Sequence, residues 1–245
     1  MAFSRLDQEL VSRNLVESRE LGKRLILAGK VTVNGHVIDK ASDKVKEDDD
    51  IKIKEAPKYV SRGGFKLEEA LKEFNVDPKG LTCLDIGAST GGFTDCLLQH
   101  GAKKVHAYDA GTNQLSWKIR SDPRVLSREK LNCRYLTKED IDDEIELIVI
   151  DVSFISLTKI LPSAYDIGSL NCSIVTLIKP QFELTRDEVS KGGIVKDPEL
   201  HQKSVSKIVN YATTELQLNH VGTTNSPITG SGGNVEFLAH FIKMA

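Results

Sequence analysis

The sequence predicts an α/β protein in two parts. A small N-terminal α+β domain covers residues 1–58, and a larger domain over 59–245 is built on a mostly parallel, helix-covered sheet whose last strand is antiparallel. Three observations carry this reading. From residue 61 onward strand-like and helix-like segments alternate, the order that a parallel sheet with crossover helices requires. Strand candidates such as Leu147-Ile148-Val149-Ile150 are continuously apolar, as a strand buried on both faces must be. Before residue 58 the texture changes to short helical patterns and β-branched segments, enough for only a small core.

Each element has its own signal. Leu6, Leu10 and Leu15, then Leu21, Leu25 and Ile26, are spaced for two short helices, the second capped by Ser18 and ended by Gly29. Val31-Thr32-Val33 is a β-branched strand entering an Asn34-Gly35 turn. Ile51-Lys52-Ile53-Lys54 is a further strand after the acidic turn 47–50. Pro57 cannot continue a ladder, so Glu55-Ala56-Pro57-Lys58 reads as the linker. In the larger part, helices are expected over 65–74, 93–100, 114–120, 157–165 and 199–214. Strands are expected over 82–86, 104–109, 124–126, 146–151, 173–179, 217–223 and 235–242. Only a Gly/Ser-rich loop separates the final two, so they are expected to pair antiparallel.

Composition narrows the function classes. The chain of 245 residues is 40% apolar and 28% charged, ordinary for a soluble globular protein. No apolar run reaches the roughly 18 to 20 residues needed to span a bilayer, and no signal-peptide pattern opens the sequence. Cys83, Cys96, Cys133 and Cys172 form no C-x-x-C pair and read as reduced, buried thiols of a cytoplasmic protein, with no metal site. A formal charge of −2 excludes a bulk polycation, so any grip on nucleic acid must use a local patch.

The most informative segment is Leu84-Asp85-Ile86-Gly87-Ala88-Ser89-Thr90-Gly91-Gly92-Phe93, where a strand hands over to a helix. Open α/β sheets bind ligands at such a crevice. A dinucleotide site needs G-x-G-x-x-G, and Ser89 breaks that pattern. A phosphate loop needs a lysine where Phe93 stands. The third reading is S-adenosylmethionine, with close backbone approach at Gly87, Gly91 and Gly92 and with Asp85 orienting its ammonium directly or through water. Asp109, ending the next strand, could accept both ribose hydroxyls of an adenosine ligand, as it would also for a dinucleotide.

Four dispersed residues join this loop: Lys66 in Ser61-Arg62-Gly63-Gly64-Phe65-Lys66-Leu67, and Asp151 and Lys179 at two strand ends. The fourth is Glu236, among the apolar Val235, Phe237 and Leu238. Singly, each could be an ordinary solvated or strand-end charge. Together, in this order, they resemble the Lys-Asp-Lys-Glu tetrad of the FtsJ-type ribose 2′-O-methyltransferases. The loop from Asp85 to Phe93 matches the D-x-G-x-x-x-G-G-[FW] stretch of that family. The first part resembles the RNA-binding domain named after ribosomal protein S-four, through Arg5-Leu6-Asp7, Ser18-Arg19 and Gly29 to Gly35. The fusion, in this order, resembles the TlyA family of bacterial rRNA methyltransferases, often labelled haemolysins. The stretches 178–183, 192–195 and 233–237 are also TlyA-like.

The resemblance implies a Rossmann-like methyltransferase sheet and S-adenosylmethionine held by Asp85, Gly87, Ala88, Ser89, Gly91, Gly92, Phe93 and Asp109. Adenine-covering residues are expected near Lys130-Leu131-Asn132, with Asn132 assigned to the cofactor. It implies a cytidine of 23S, and of 16S, rRNA within ribosomal subunits as the target.

The chemistry agrees with these residue types. A ribose hydroxyl is a poor nucleophile at neutral pH, so an enzyme must align it with the methyl donor and help to remove its proton. Lys179 is the expected base, with Lys66 as a neighbouring cation and Asp151 and Glu236 setting charge and orientation. The strand-end tetrapeptide Asp151-Val152-Ser153-Phe154 lacks the paired prolines that base-amino methyltransferases use around a flipped base, which favours ribose oxygen over base nitrogen.

Residues 5–30 carry a surplus of two positive charges. Arg19, Lys23 and Arg24 share one side of the second predicted helix, suited to phosphates, with Arg5 nearby and Arg62 and Lys58 extending the track. Residues 183–197, with Gly192-Gly193, read as a mobile substrate loop. Two other classes compete: a non-catalytic RNA-binding assembly protein, and a membrane-lytic haemolysin. The intact tetrad opposes the first, and the lack of a spanning or strongly cationic amphipathic segment opposes the second.

Overall fold

The computed structural model describes residues 3–54 and 57–244, so the linker residues Glu55 and Ala56 lie outside the described residues. The chain divides into two compact units, Met1–Lys58 and Tyr59–Ala245.

The first unit runs β1 (Phe3–Arg5), α1 (Leu6–Ser12), α2 (Arg19–Leu27), β2 (Val31–Val33), β3 (His36–Val37), β4 (Lys44–Lys46) and β5 (Ile51–Ile53). Ser18 caps α2 by accepting the Leu21 N–H, as expected. Asn34 and Gly35 take positive φ values of 51° and 83° and reverse the chain between β2 and β3, the conformation that an Asn-Gly turn favours. Strand β2 pairs with both β3 and β5, while β1 pairs antiparallel with β4. The sequence signals missed β1, β3 and β4, which have three residues or fewer and too little alternation to register. Helix α1 stops at Ser12, so Leu15 is exposed and Val16 takes the core position instead, beside Leu6, Leu10, Ile26, Val31 and Val45.

The second unit follows with α3 (Gly63–Glu73), β6 (Thr82–Ile86), α4 (Gly92–Gln99), β7 (Lys104–Tyr108), α5 (Trp117–Arg120), β8 (Val125–Arg128) and β9 (Ile145–Ile150). Then come α6 (Leu161–Ile167), β10 (Gly168–Ile178), α7 (Pro180–Glu183), α8 (Pro198–Asn210), β11 (Asn219–Asn225) and β12 (Phe237–Ile242). Seven strands form one sheet in the order β11-β12-β10-β9-β6-β7-β8. Strands β6 to β10 are parallel, and β12 runs antiparallel to both β10 and β11. Alternate residues of β9 serve two cores. Ile148 and Ile150 pack with α6 and α8, while Leu147 and Val149 pack with α3 and α4. Burial on both faces is why the strand shows no polar alternation.

Three expected elements differ. The helix over 114–120 shortens to α5, because Leu115 tucks against Gly91 and the Ser116 N–H bonds to the Thr90 carbonyl. The helix over 157–165 breaks into a tight turn (Leu157–Lys159) and α6, since Pro162 has no N–H to bond the carbonyl four residues back. Strand 173–179 starts earlier, at Gly168, with an irregularity before Ser173, and ends one residue short of Lys179.

Topology positions the site. Strand β6 lies between β7 and β9, so the crossover from β8 to β9 opens the crevice beyond the ends of β6 and β9. Gly87, Asp109, Asp151 and Lys179 each follow the end of a parallel strand. Because β12 alone is reversed, its start lies at that same edge, with Phe237 opposite Ile178. Glu236 therefore joins the others although it precedes its strand. Among the described residues, no helix is long and apolar enough to cross a membrane.

Candidate functional site

Two cavities meet at the crevice and share Gly87, Ser89 and Asp151. The larger, about 620 Å³, is a size typical of small-molecule sites. Its polar end holds Ser89, Asp109 and Gln114, and its apolar wall includes Leu131, Val152, Ile155 and Ile160. The smaller, about 220 Å³, is lined by Arg62, Lys66, Ala88, Gly92, Phe93 and Gly230 among others.

The glycine loop is held by its own backbone. The N–H groups of Gly87 and Ala88 both bond the Tyr108 carbonyl, and Gly91 N–H bonds that of Ala88. Gly87 has φ +90°, and a β-carbon there would run into the main-chain carbonyl of Asp151. Only glycine lets these two strand ends approach so closely. On Gly92, a β-carbon would meet Ser61 Oγ and the Gly64 nitrogen, so α4 and the start of α3 touch through that position.

Asp109 accepts the Ser89 N–H at 2.8 Å on one oxygen and the Gly111 N–H at 2.6 Å on the other. A carboxylate has about four acceptor sites, so lone pairs on Asp109 still face the larger cavity. Asn132 lines the same cavity and caps the following turn by accepting the Arg134 N–H.

Asp85 departs from expectation. It is fully buried and lines neither cavity, because strand alternation turns it toward α4, where Thr94 Oγ1 donates to it at 2.6 Å. Burial pushes its carboxyl up to about 7, opposed by the Thr94 hydrogen bond and reinforced by Asp151 and Asp109 nearby. Asp85 thus faces α4 and braces the loop from behind, its Oδ1 without a hydrogen-bond partner among the described residues. Gly91 likewise lines neither cavity.

The four dispersed charges come together as two ion pairs. Lys66 Nζ donates to Glu236 in a buried pair beneath Gly230. Lys179 Nζ lies 2.6 Å from Asp151 Oδ1, but its hydrogen bond goes to Ser153 Oγ at 2.9 Å. Asp151 Oδ1 makes this contact as an ion pair and has no hydrogen-bond partner among the described residues. Each lysine thus faces a carboxylate, where the sequence suggested a second cation beside Lys179. Lys66 and Asp151 line the smaller cavity; Lys179 lines neither cavity and contacts Asp151 and Ser153, which do. Ser153 carries no motif signal of its own in the sequence, and only the fold brings it to Lys179.

The basic stripe is also engaged internally. Arg5 and Arg19 both grip the buried Asp7, at 3.0 and 2.9 Å, and hold its carboxyl down to about 2 against the cost of burial. Lys23 stands 3.5 Å from Glu20, while Arg24 is exposed. Arg62 is exposed and donates to the Thr229 carbonyl. In the expected substrate loop, Val195 N–H bonds the Asn234 side chain, which in turn donates to the Gly193 carbonyl.

Comparison with known proteins follows the same division. The S4 domain model matches residues 4–51, and the FtsJ-like methyltransferase model matches residues 59–243. The chain is 50% identical over 244 residues to a protein named Hemolysin A from Brachyspira hyodysenteriae, covering 97% of this chain and 99% of that one. It is 43% identical over 236 residues to the 16S/23S rRNA (cytidine-2'-O)-methyltransferase TlyA of Mycobacterium tuberculosis, covering 96% of this chain and 88% of that one. A solved structure of a hemolysin-named protein from Streptococcus thermophilus is 44% identical, with a TM-score of 0.75, over 100% of this chain and 90% of that one.

Proposed function

Since the chain belongs to the TlyA family, an S4 domain followed by an FtsJ-like methyltransferase domain, we propose that it transfers a methyl group from S-adenosylmethionine to the ribose 2′-oxygen of a cytidine in ribosomal RNA. The observation that carries the reading is the pairing of Lys66 with Glu236 and of Lys179 with Asp151 beside a cavity that shares Asp151 with the glycine-loop cleft.

The residues present fit the cofactor. The larger cavity has the right scale, a carboxylate with spare lone pairs at Asp109, an apolar wall for a flat base, and backbone open for close approach at Gly87. In this reading Asp109 holds the ribose hydroxyls, the backbone of 87–89 and Gly92 cradle the amino-acid end, and Asn132 borders the adenine. When bound, S-adenosylmethionine supplies an electrophilic methyl group on a sulfonium.

The chain's own residues do the rest. The target ribose enters the smaller cavity, where Lys66, fixed by Glu236, and Arg62 orient it. Asp151 and Ser153 aim Lys179 Nζ, which takes the 2′-hydroxyl proton as the new carbon–oxygen bond forms and the methyl group's bond to sulfur breaks. Arg24, Lys23 and the outer faces of Arg5 and Arg19 contact backbone phosphates, positioning rRNA within a ribosomal subunit.

The test is transfer of labelled methyl from S-adenosylmethionine to purified ribosomal subunits, with Lys179→Ala alongside. Label is expected in the RNA of the wild-type reaction. The variant should lose roughly a hundredfold or more in turnover while calorimetry shows cofactor affinity retained. Turnover near wild type in the variant would remove Lys179 as base. No label on either subunit, with the cofactor still bound, would favour a non-catalytic RNA-binding protein.

A further inference from the structure

Glu183 has no part in the tetrad, yet it is one of the most deeply buried charges in the second unit, with a side chain 1% exposed. It is the last residue of α7, the four-residue helix whose N-cap is Lys179. Its carboxylate reaches across to the loop that follows β9. There it accepts the Leu157 N–H at 2.8 Å and the Ser156 hydroxyl, six and five residues beyond Asp151. From the other side, Lys207 of α8 donates to the Glu183 main-chain oxygen at 2.5 Å and approaches its carboxylate at 3.4 Å. One side chain therefore ties together the two segments that carry Asp151 and Lys179, and α8 holds that tie in place.

Stability alone does not explain a carboxylate here. An apolar side chain of similar size at a buried position is commonly as stabilising as a buried ion pair. Burial also pushes the Glu183 carboxyl up, opposed by the Ser156 and Leu157 hydrogen bonds and by Lys207. What a carboxylate adds is direction: two acceptor oxygens fix the turn after β9 relative to α7 in one register.

We propose that Glu183 is a positioning residue for methyl transfer, clamping the loop after β9 to α7 and so setting the separation of Asp151 and Lys179. The inference rests on reading those two residues as the proton-handling pair. The distance at stake is short: Nζ sits 2.6 Å from Asp151 and 2.9 Å from Ser153, and small misplacements of such groups cost large rate factors.

The experiment uses the full chain with Glu183→Ala, Glu183→Gln, Ser156→Ala and Lys179→Ala, assayed at saturating rRNA and S-adenosylmethionine. Glu183→Ala should lower kcat roughly ten- to a hundredfold, with KM for RNA and calorimetric cofactor affinity within about twofold of wild type. Glu183→Gln keeps the shape and an acceptor for the Leu157 N–H, and should recover kcat to within about threefold. If Glu183→Ala does not fold, Ser156→Ala takes its place, and a several-fold loss of kcat is expected. A folded Glu183→Ala with wild-type kcat, or a Ser156→Ala with wild-type kcat where Glu183→Ala does not fold, overturns the clamp if Lys179→Ala is inactive. An active Lys179→Ala removes the proton-handling pair itself.

Discussion

Asp7 and Asp85 are both fully buried, and their surroundings move them in opposite directions. The Arg5 guanidinium hydrogen-bonds Asp7 and, with Arg19, holds its carboxyl down to about 2; Asp85 has no cation beside it in that way, and burial lifts it to about 7 against the hydrogen bonds from Thr94. For Asp85 the folded value lies above the unfolded one, so the folded state binds the extra proton. The cost of ionising it is absent below about 4, grows between about 4 and 7, and is complete above that. Without cofactor, Asp85→Asn should therefore gain melting temperature relative to wild type between pH 5 and pH 8. Curves that stay parallel across that range would mean Asp85 does not titrate there. For Asp7 the sign reverses: its contribution is present above about 4 and is lost as pH falls toward 2.

At the scale of elements, the β6–α4 turn and helix α2 make separate demands. Gly87 combines a positive φ with contact against the Asp151 carbonyl, so Gly87→Ala should cost about 2 kcal/mol of stability and weaken S-adenosylmethionine binding, measured by melting and calorimetry. Tight cofactor binding by that variant would show that the close approach is dispensable. On α2, Arg19 is committed to Asp7 whereas Arg24 is free to meet RNA. Arg24→Ala should lower rRNA affinity and flatten the log–log salt dependence by about 1, with melting unchanged. Arg19→Ala should also lower the melting temperature. Fluorescence anisotropy across a salt series, paired with thermal melts, separates the two. Sequence spacing grouped both arginines on one helix side, yet five positions turn an α-helix by about 140°, and a distant buried partner such as Asp7 leaves no mark on local periodicity.

At the scale of the molecule, the reversed β12 is what lets a residue preceding its strand, Glu236, share a crevice with residues following theirs. The chain divides into two compact units between Lys58 and Tyr59. If the first unit supplies the proposed phosphate contacts, a fragment spanning 59–245 is expected to bind S-adenosylmethionine but to lose at least about tenfold in methyl transfer to ribosomal subunits. Full transfer by the fragment would leave the S4 domain without a role in catalysis.

Local sequence was sufficient for whatever depends on neighbours in the chain. It determined the alternation of strands and helices, the doubly buried β9, the Ser18 cap, the Asn34-Gly35 turn and the glycine loop. Resemblance to a family tetrad in the same order grouped Lys66, Asp151, Lys179 and Glu236. Tertiary structure decided how those four pair, that Asp85 faces α4 and not the cleft, that Ser153 takes the Lys179 hydrogen bond, and that Glu183 joins two strand ends. The physical reason is that a side chain's direction and partners depend on residues 26 to 170 positions away, brought near only when the sheet closes. Periodicity and turn chemistry act over a few residues, and carry no record of which distant group a buried charge will meet.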